Sequence, residues 1–337
     1  MQRDSALDNL RAVAIISVLI IHSIDTANNL SHIGRETVDW PIYQTLRAIG
    51  RLGVPLFLMV SGALILNRLD RVSDFYRKRL LQFVALIFIL PFAYDFFNVY
   101  ILGHSPAANL TQILRGRSGY AYQLWYLYVA FGLYIIAPLL QAITRTSRRD
   151  LLVVLAAVPI VWNFIPSTLA VFGITTHLPY LGLEFTGIYF FYFVYGYIAY
   201  RMNFLQNVPG IAIGAALVAC LSLWVISQLQ WLENPVVSGD GFMWYDNIFC
   251  LISSATTFEL VRRIRMRSSA AEEVSQASFA IYLWHLFPFY FLSSFSADLL
   301  GTPWWILAVL MLVSGAAFGY ALYRALRKLP YLNRLVT

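Results

Sequence analysis

The stretch LDNLRAVAIISVLIIHSID, residues 7–25, sets Asp8, Arg11, His22 and Asp25 into a run that is otherwise mostly aliphatic. Ionisable groups are costly in such surroundings, so each is a functional candidate. Arg11 and His22 stand eleven residues apart. On an α-helix that is close to three turns, which places both on one face about 16 Å apart along the axis. They are too far apart to touch one reacting atom together, and well placed to hold the two ends of one long ligand. The imidazole can take a proton as general base, and the guanidinium can hold an anionic group as a planar fork. Asp8 lies one turn from Arg11 and Asp25 one turn from His22, so each cation has a same-face partner of opposite charge. A purely structural reading is open as well: Arg11 snorkels to the interface and His22 makes an interhelical hydrogen bond.

Other side chains with chemical potential are scattered along the chain. Arg77, Lys78 and Arg79 form a basic run that suits phosphate groups or marks topology. His285 sits about ten residues into an apolar stretch, where it serves either a helix–helix hydrogen bond or chemistry. Ser61 precedes Gly62 with no base partner evident, the signature of close packing more than of a nucleophile. Trp125 and Tyr126 can stack on a ligand or sit in an interfacial belt, and Asp95, Glu184 and Asp246 are candidates to line a polar cavity. Cys220 and Cys250 both lie in apolar stretches, so no disulfide framework and no metal site is expected.

The elements that must position these groups follow from composition. Of 337 residues 59% are apolar and only 12% charged, against about 25% charged in soluble domains. Lipid is the solvent such a chain needs. The expected fold is all-α, a polytopic transmembrane bundle in a single domain over 1–337. It has about ten spans, at 9–26, 49–67, 80–101, 121–143, 151–166, 183–200, 210–230, 244–262, 276–296 and 303–325. No cleavable signal peptide is expected; the first apolar run reads as a retained span. The charge of +7 does not point to nucleic acid, because the cations cluster between apolar runs. With the N-terminus in the cytoplasm, 18 Lys and Arg fall inside and five outside, with Arg11 in the first span. The positive-inside rule therefore puts both termini in the cytoplasm, as an even number of spans requires.

Four segments resemble a known family. The Arg-x10-His pattern in LDNLRAVAIISVLIIH is similar to the opening signature of the acyltransferase-3 family, bacterial membrane enzymes that O-acylate glycans and other hydroxyl acceptors. RLGVPLFLMVSGALI (51–65) resembles its second-span motif, FYRKRL (75–80) its basic lead-in to the third span, and SFAIYLWH (278–285) its late motif ending in histidine. QLWYLYVAFGLYIIAPLL (123–140) looks like the fourth span of the shorter surface-glycan O-acetyltransferases, among them the enzyme that acetylates enterobacterial common antigen. Together the matches span nearly the whole chain. Two positions depart from the pattern: Gln123 stands where members often have His, and Leu80 where another Arg is common.

The resemblance implies transfer of an acetyl group from cytoplasmic acetyl-CoA to a hydroxyl of a surface polysaccharide or its lipid-linked precursor, in the bacterial inner membrane. His22, Arg11 and Asp25 are then the catalytic group, and Arg77, Lys78 and Arg79 hold the donor. Ser61, Trp125, Tyr126, Glu184 and His285 face the substrate. Acetyl-CoA enters as substrate, and no cofactor or metal is held permanently. The expected partners are acetyl-CoA, a hydroxyl acceptor and the lipid bilayer. A transporter or flippase of a glycan or small solute accounts for the same buried charges and spans, although no repeated half with paired broken helices is visible.

Overall fold

A computed structural model describes residues 4–68, 71–146, 148–176, 178, 186–233, 243–264, 268–295, 299 and 301–329. Among them the chain is helical, with no strand. Seven helical segments are long and apolar enough to cross a membrane: 5–31, 39–65, 72–101, 122–145, 150–171, 210–230 and 304–326. The remaining expected spans correspond to shorter helices.

The chain divides into two compact units. The first comprises residues 1–21, 34–68 and 139–272. It holds the start of α1 (Ser5–Ser31), then α2 (Asp39–Arg51) and α3 (Gly53–Ile65). Here the structure corrects the sequence reading. The second span was expected to begin at residue 49, yet the helix begins at Asp39, ten residues earlier. Gln44 and Arg47 lie within this added stretch of helix, and both are buried. Gly50 lets α2 close on Ile21, where a Cβ would stand 2.7 Å from that residue's own Cβ. Gly53 does the same at Val18, again at 2.7 Å.

α9 (Ile188–Arg201) is buried from Phe190 to Ala199 and packs along α3. The crossing works because both helices present glycine. A methyl on Gly62 would overlap the carbonyl of Phe193, and one on Gly196 the carbonyl of Met59. In lipid, where helix association depends on packing, small residues bring backbones this close. α6 (Trp125–Arg145) contributes its C-terminal end to this unit, where Gln141 Nε2 and Thr144 Oγ1 donate to the carbonyls of Ile65 (2.9 Å) and Leu66 (2.8 Å). Those carbonyls close α3, where the last turn leaves acceptors without a full set of helical partners; that of Ile65 also accepts from the Arg68 N–H at 3.0 Å. The unit is completed by α7 (Asp150–Pro159), α8 (Ile165–Val171), α10 (Gly210–Glu233) and α11 (Ile248–Arg263). At the end of α11 the buried Glu259 carboxylate accepts from Arg262 at 2.7 Å and Arg263 at 2.7 Å. These guanidiniums also donate to Asn203 Oδ1 (2.9 Å) and the Leu205 carbonyl (2.6 Å), fixing the connection that follows α9.

The second unit comprises residues 22–33, 69–138 and 273–337. It contains the end of α1, α4 (Val72–Phe96), the short α5 (Leu110–Leu114) and most of α6 with the tight turn 122–124 before it. α12 (Ser269–Trp284), α13 (Leu286–Ser293) and α14 (Trp304–Leu326) complete it. The expected span 276–296 is divided at His285 into α12 and α13. Pro288 is the cause: it has no N–H to give the carbonyl of Trp284, so the ladder breaks there. Small residues again allow a close approach. A Cβ on Gly315 would lie 3.2 Å from that of His285, and one on Gly319 2.5 Å from Cα of Ile281.

Candidate active site

The second unit brings two histidines together from opposite ends of the sequence. His22, near the end of α1, and His285, at the α12–α13 break, have ring centroids 5.1 Å apart with planes inclined by 41°. His22 Nδ1 is 3.1 Å from the Tyr122 hydroxyl. Asp25 lies one turn beyond His22, close enough for its charge to act on that same hydroxyl.

His285 is fully buried, and its environment defines its tautomer. Nδ1 lies 2.8 Å from the carbonyl of Tyr282 and 3.1 Å from that of Ile281. Both partners can only accept, so Nδ1 carries the hydrogen and Nε2 presents a lone pair. That Nε2 is buried and has no hydrogen-bond partner in the structure. An unsatisfied buried acceptor is expensive unless something occupies it during function.

The turn that carries His285 is clamped from two sides. Tyr94 of α4 donates its hydroxyl to the Leu283 carbonyl at 2.8 Å. Gln123 donates Nε2 to the same carbonyl at 3.2 Å and to the Tyr94 hydroxyl at 3.0 Å. Tyr282 returns a hydrogen bond to the Gln123 carbonyl. Tyr94, Gln123 and Tyr282 are buried. Gln123 thus holds the main chain of the late motif.

The expected site residues divide accordingly. His22 and His285 meet in the second unit, and Asp25 belongs to it one turn beyond His22. Trp125 and Tyr126 belong to it as well, with Tyr126 5.6 Å from the Tyr282 ring and Tyr282 6.4 Å from His285. Arg77 and Arg79 stand in the first two turns of α4, Arg77 exposed and 3.8 Å from Asp74. The side chain of Lys78, and Glu184 altogether, lie outside the described residues. Arg11 and Ser61 belong to the first unit, Arg11 on the same helix as His22 and Ser61 on α3. Tyr122 and Tyr94 were not singled out from the sequence. A tyrosine in an apolar, aromatic-rich chain gives no signal of its own, and Gln123 stands out in the sequence only as a departure from the family pattern.

Among curated proteins and among solved structures nothing matches the chain. A family comparison does: residues 4–324 match the acyltransferase-3 family, described as an acyltransferase domain. The match takes in the histidine pair, its clamp and α1 to α14 almost to the end. The transporter alternative gives way to an enzyme, and the chain belongs to the acyltransferase-3 family of membrane acyltransferases.

Proposed function

We propose that the protein is an O-acetyltransferase that moves an acetyl group from cytoplasmic acetyl-CoA to a hydroxyl of a surface polysaccharide or its lipid-linked precursor. The observation that carries the reading is the open Nε2 of His285, buried beside His22 with its ring fixed by main-chain carbonyls. The acceptor hydroxyl gives its proton to His285 Nε2 as its oxygen attacks the thioester carbon. The C–O bond forms, the C–S bond breaks, and the proton passes to the departing thiolate, leaving CoA–SH and the acetyl ester. His22, aligned by Tyr122 and Asp25, faces the carbonyl oxygen and stabilises the negative charge that develops there. Arg11 steers the donor from the cytoplasmic side, about 16 Å along α1 from His22. Arg77, Lys78 and Arg79 bind its phosphates. By the family resemblance, Ser61, Trp125, Tyr126 and Glu184 bind the substrate.

In this reading the whole chain is one transmembrane domain in the bacterial inner membrane. α9, α11 and the α12–α13 pair join the seven long segments to make ten spans, with both termini cytoplasmic. The fourth-span likeness to the shorter surface-glycan acetyltransferases supports the choice of acceptor. Purified protein in detergent, given acetyl-CoA and membrane-derived glycans, should release CoA thiol and yield sugars heavier by one acetyl group. Absence of both products with every glycan supplied would reject the reaction. For orientation, an impermeant thiol reagent on intact cells should label Glu36→Cys and leave Asp70→Cys unlabelled; the reverse pattern overturns the donor side.

A further inference from the structure

The connection between α4 and α6 carries a charged pair that the proposed chemistry does not use. Arg115 and Arg117 follow α5 and are both exposed, and among the described residues neither guanidinium has a carboxylate or hydrogen-bond partner. Gly116 between them takes a φ of +77°, and the N–H groups of Gly116 and Arg117 return to the carbonyls of Ile113 and Gln112, both at 2.9 Å. That left-handed cap fixes the main chain on which the two cations stand. Leu110 and Leu114, one turn apart on α5, are exposed as well, while Ile113 is buried. Topology marking does not explain the pair: in the proposed orientation this connection lies on the outer side, where Lys and Arg are scarce. Of the five arginines expected there, Arg47 is buried and Arg51 lies over Trp244 and Tyr245, which leaves Arg35 and this pair in connections.

The connection is pinned along its length. The Asp95 carboxylate accepts from the N–H groups of Ala107 (2.7 Å) and Ala108 (2.9 Å). Tyr128 of α6 donates to the Ile113 carbonyl at 2.9 Å, Tyr120 to that of Ser105 at 2.7 Å, and Tyr290 of α13 to that of Tyr120 at 2.7 Å. A fixed cationic pair beside exposed leucines complements an amphiphile with an anionic head: guanidiniums take phosphate oxygens, and leucines take a hydrocarbon chain. A soluble polyanion would leave the leucines unmatched, and a neutral lipid the arginines. The same main chain runs on into the candidate active site. Arg117 stands five residues before Tyr122, whose hydroxyl is 3.1 Å from His22 Nδ1, so at most about 18 Å of chain separates the two. A glycan attached to a head group on the arginines has its first sugars within reach of the histidine pair.

We infer that Arg115 and Arg117, with Leu110 and Leu114, dock the lipid phosphate to which the glycan acceptor is linked. The inference rests on the proposed glycan acceptor and selects its lipid-linked precursor over the finished polysaccharide. It is tested by native mass spectrometry of the full chain released from detergent micelles, without acyl donor. Undecaprenyl diphosphate is the probe, with undecaprenol and phosphatidylglycerol for comparison. The wild type should hold the diphosphate about tenfold or more tightly than either, and Arg115→Gln/Arg117→Gln should bind it about tenfold or more weakly. Arg68→Gln/Arg71→Gln removes the same charge from another connection and should bind like wild type. The single variants Arg115→Gln and Arg117→Gln replace the double one if it does not fold. Equal binding by wild type and the Arg115→Gln/Arg117→Gln protein, or an equal loss in Arg68→Gln/Arg71→Gln, overturns the site. Phosphatidylglycerol held as tightly as the diphosphate assigns the loop to bulk head groups and overturns it too. CoA thiol release from acetyl-CoA with membrane-derived glycans is followed on the same preparations. Release without diphosphate binding removes this site and spares acyl transfer, whereas diphosphate binding without release does the opposite.

Discussion

Replacing His285 with Asn separates its two hydrogen-bonding duties. The asparagine amide can still donate toward the carbonyls of Tyr282 and Ile281, which now hold Nδ1 at 2.8 and 3.1 Å. It offers no basic nitrogen where Nε2 stood. Loss of a general base costs a factor of about 10²–10⁴, which at about 1.36 kcal/mol per tenfold is roughly 2.7–5.4 kcal/mol of barrier. The lost ring contacts are those with His22, 5.1 Å away, with Phe289 at 5.6 Å and with Tyr282 at 6.4 Å. Gly315 already presses on this spot, so partial collapse is available, and the stability cost should stay near about 1–2 kcal/mol. The assay is CoA thiol release by purified protein, with kcat and KM for acetyl-CoA measured separately and folding followed by thermal melting. A group used only in the transition state lowers kcat and leaves KM nearly unchanged. A folded His285→Asn enzyme with kcat within threefold of wild type would refute the role of Nε2. A tenfold rise in KM at unchanged kcat would reassign His285 to donor binding.

Three further outcomes are expected. Gly62→Ala should lower the melting temperature by several degrees, since its methyl meets the unyielding carbonyl of Phe193 and overpacking costs about 1–3 kcal/mol; Gly132→Ala, with open space around it, should melt at or above wild type. Glu259→Gln should destabilise by about 1–3 kcal/mol, below the full value for a buried pair because Arg262 and Arg263 are 17% and 28% exposed, and unchanged melting would show that the two guanidiniums do not need the charge. Arg11→Lys keeps the charge and loses the bidentate fork, so it should raise KM for acetyl-CoA more than it lowers kcat; equal defects in both constants would end the assignment of Arg11 to the donor.

Composition and local order made much of this protein legible. The scarcity of charge fixed lipid as solvent and helix as the spanning element, because backbone polar groups in lipid must be satisfied within the segment. The division of the late span at His285 was also written locally, in Pro288. The family signatures pointed to His22 and His285 separately. Their meeting was not readable, since 263 residues separate them and only packing of α1 against the α12–α13 break decides that two rings share one place. The same holds for Gly62 and Gly196, which look ordinary in sequence and turn out to be the two faces of one backbone crossing. The start of the second helix at Asp39 was not readable either, because Gln44 and Arg47 are polar by type and only tertiary burial takes them out of water and lipid. Side-chain type sets the cost of leaving water. Whether that cost is met depends on partners brought from elsewhere in the chain, and the fold alone supplies them.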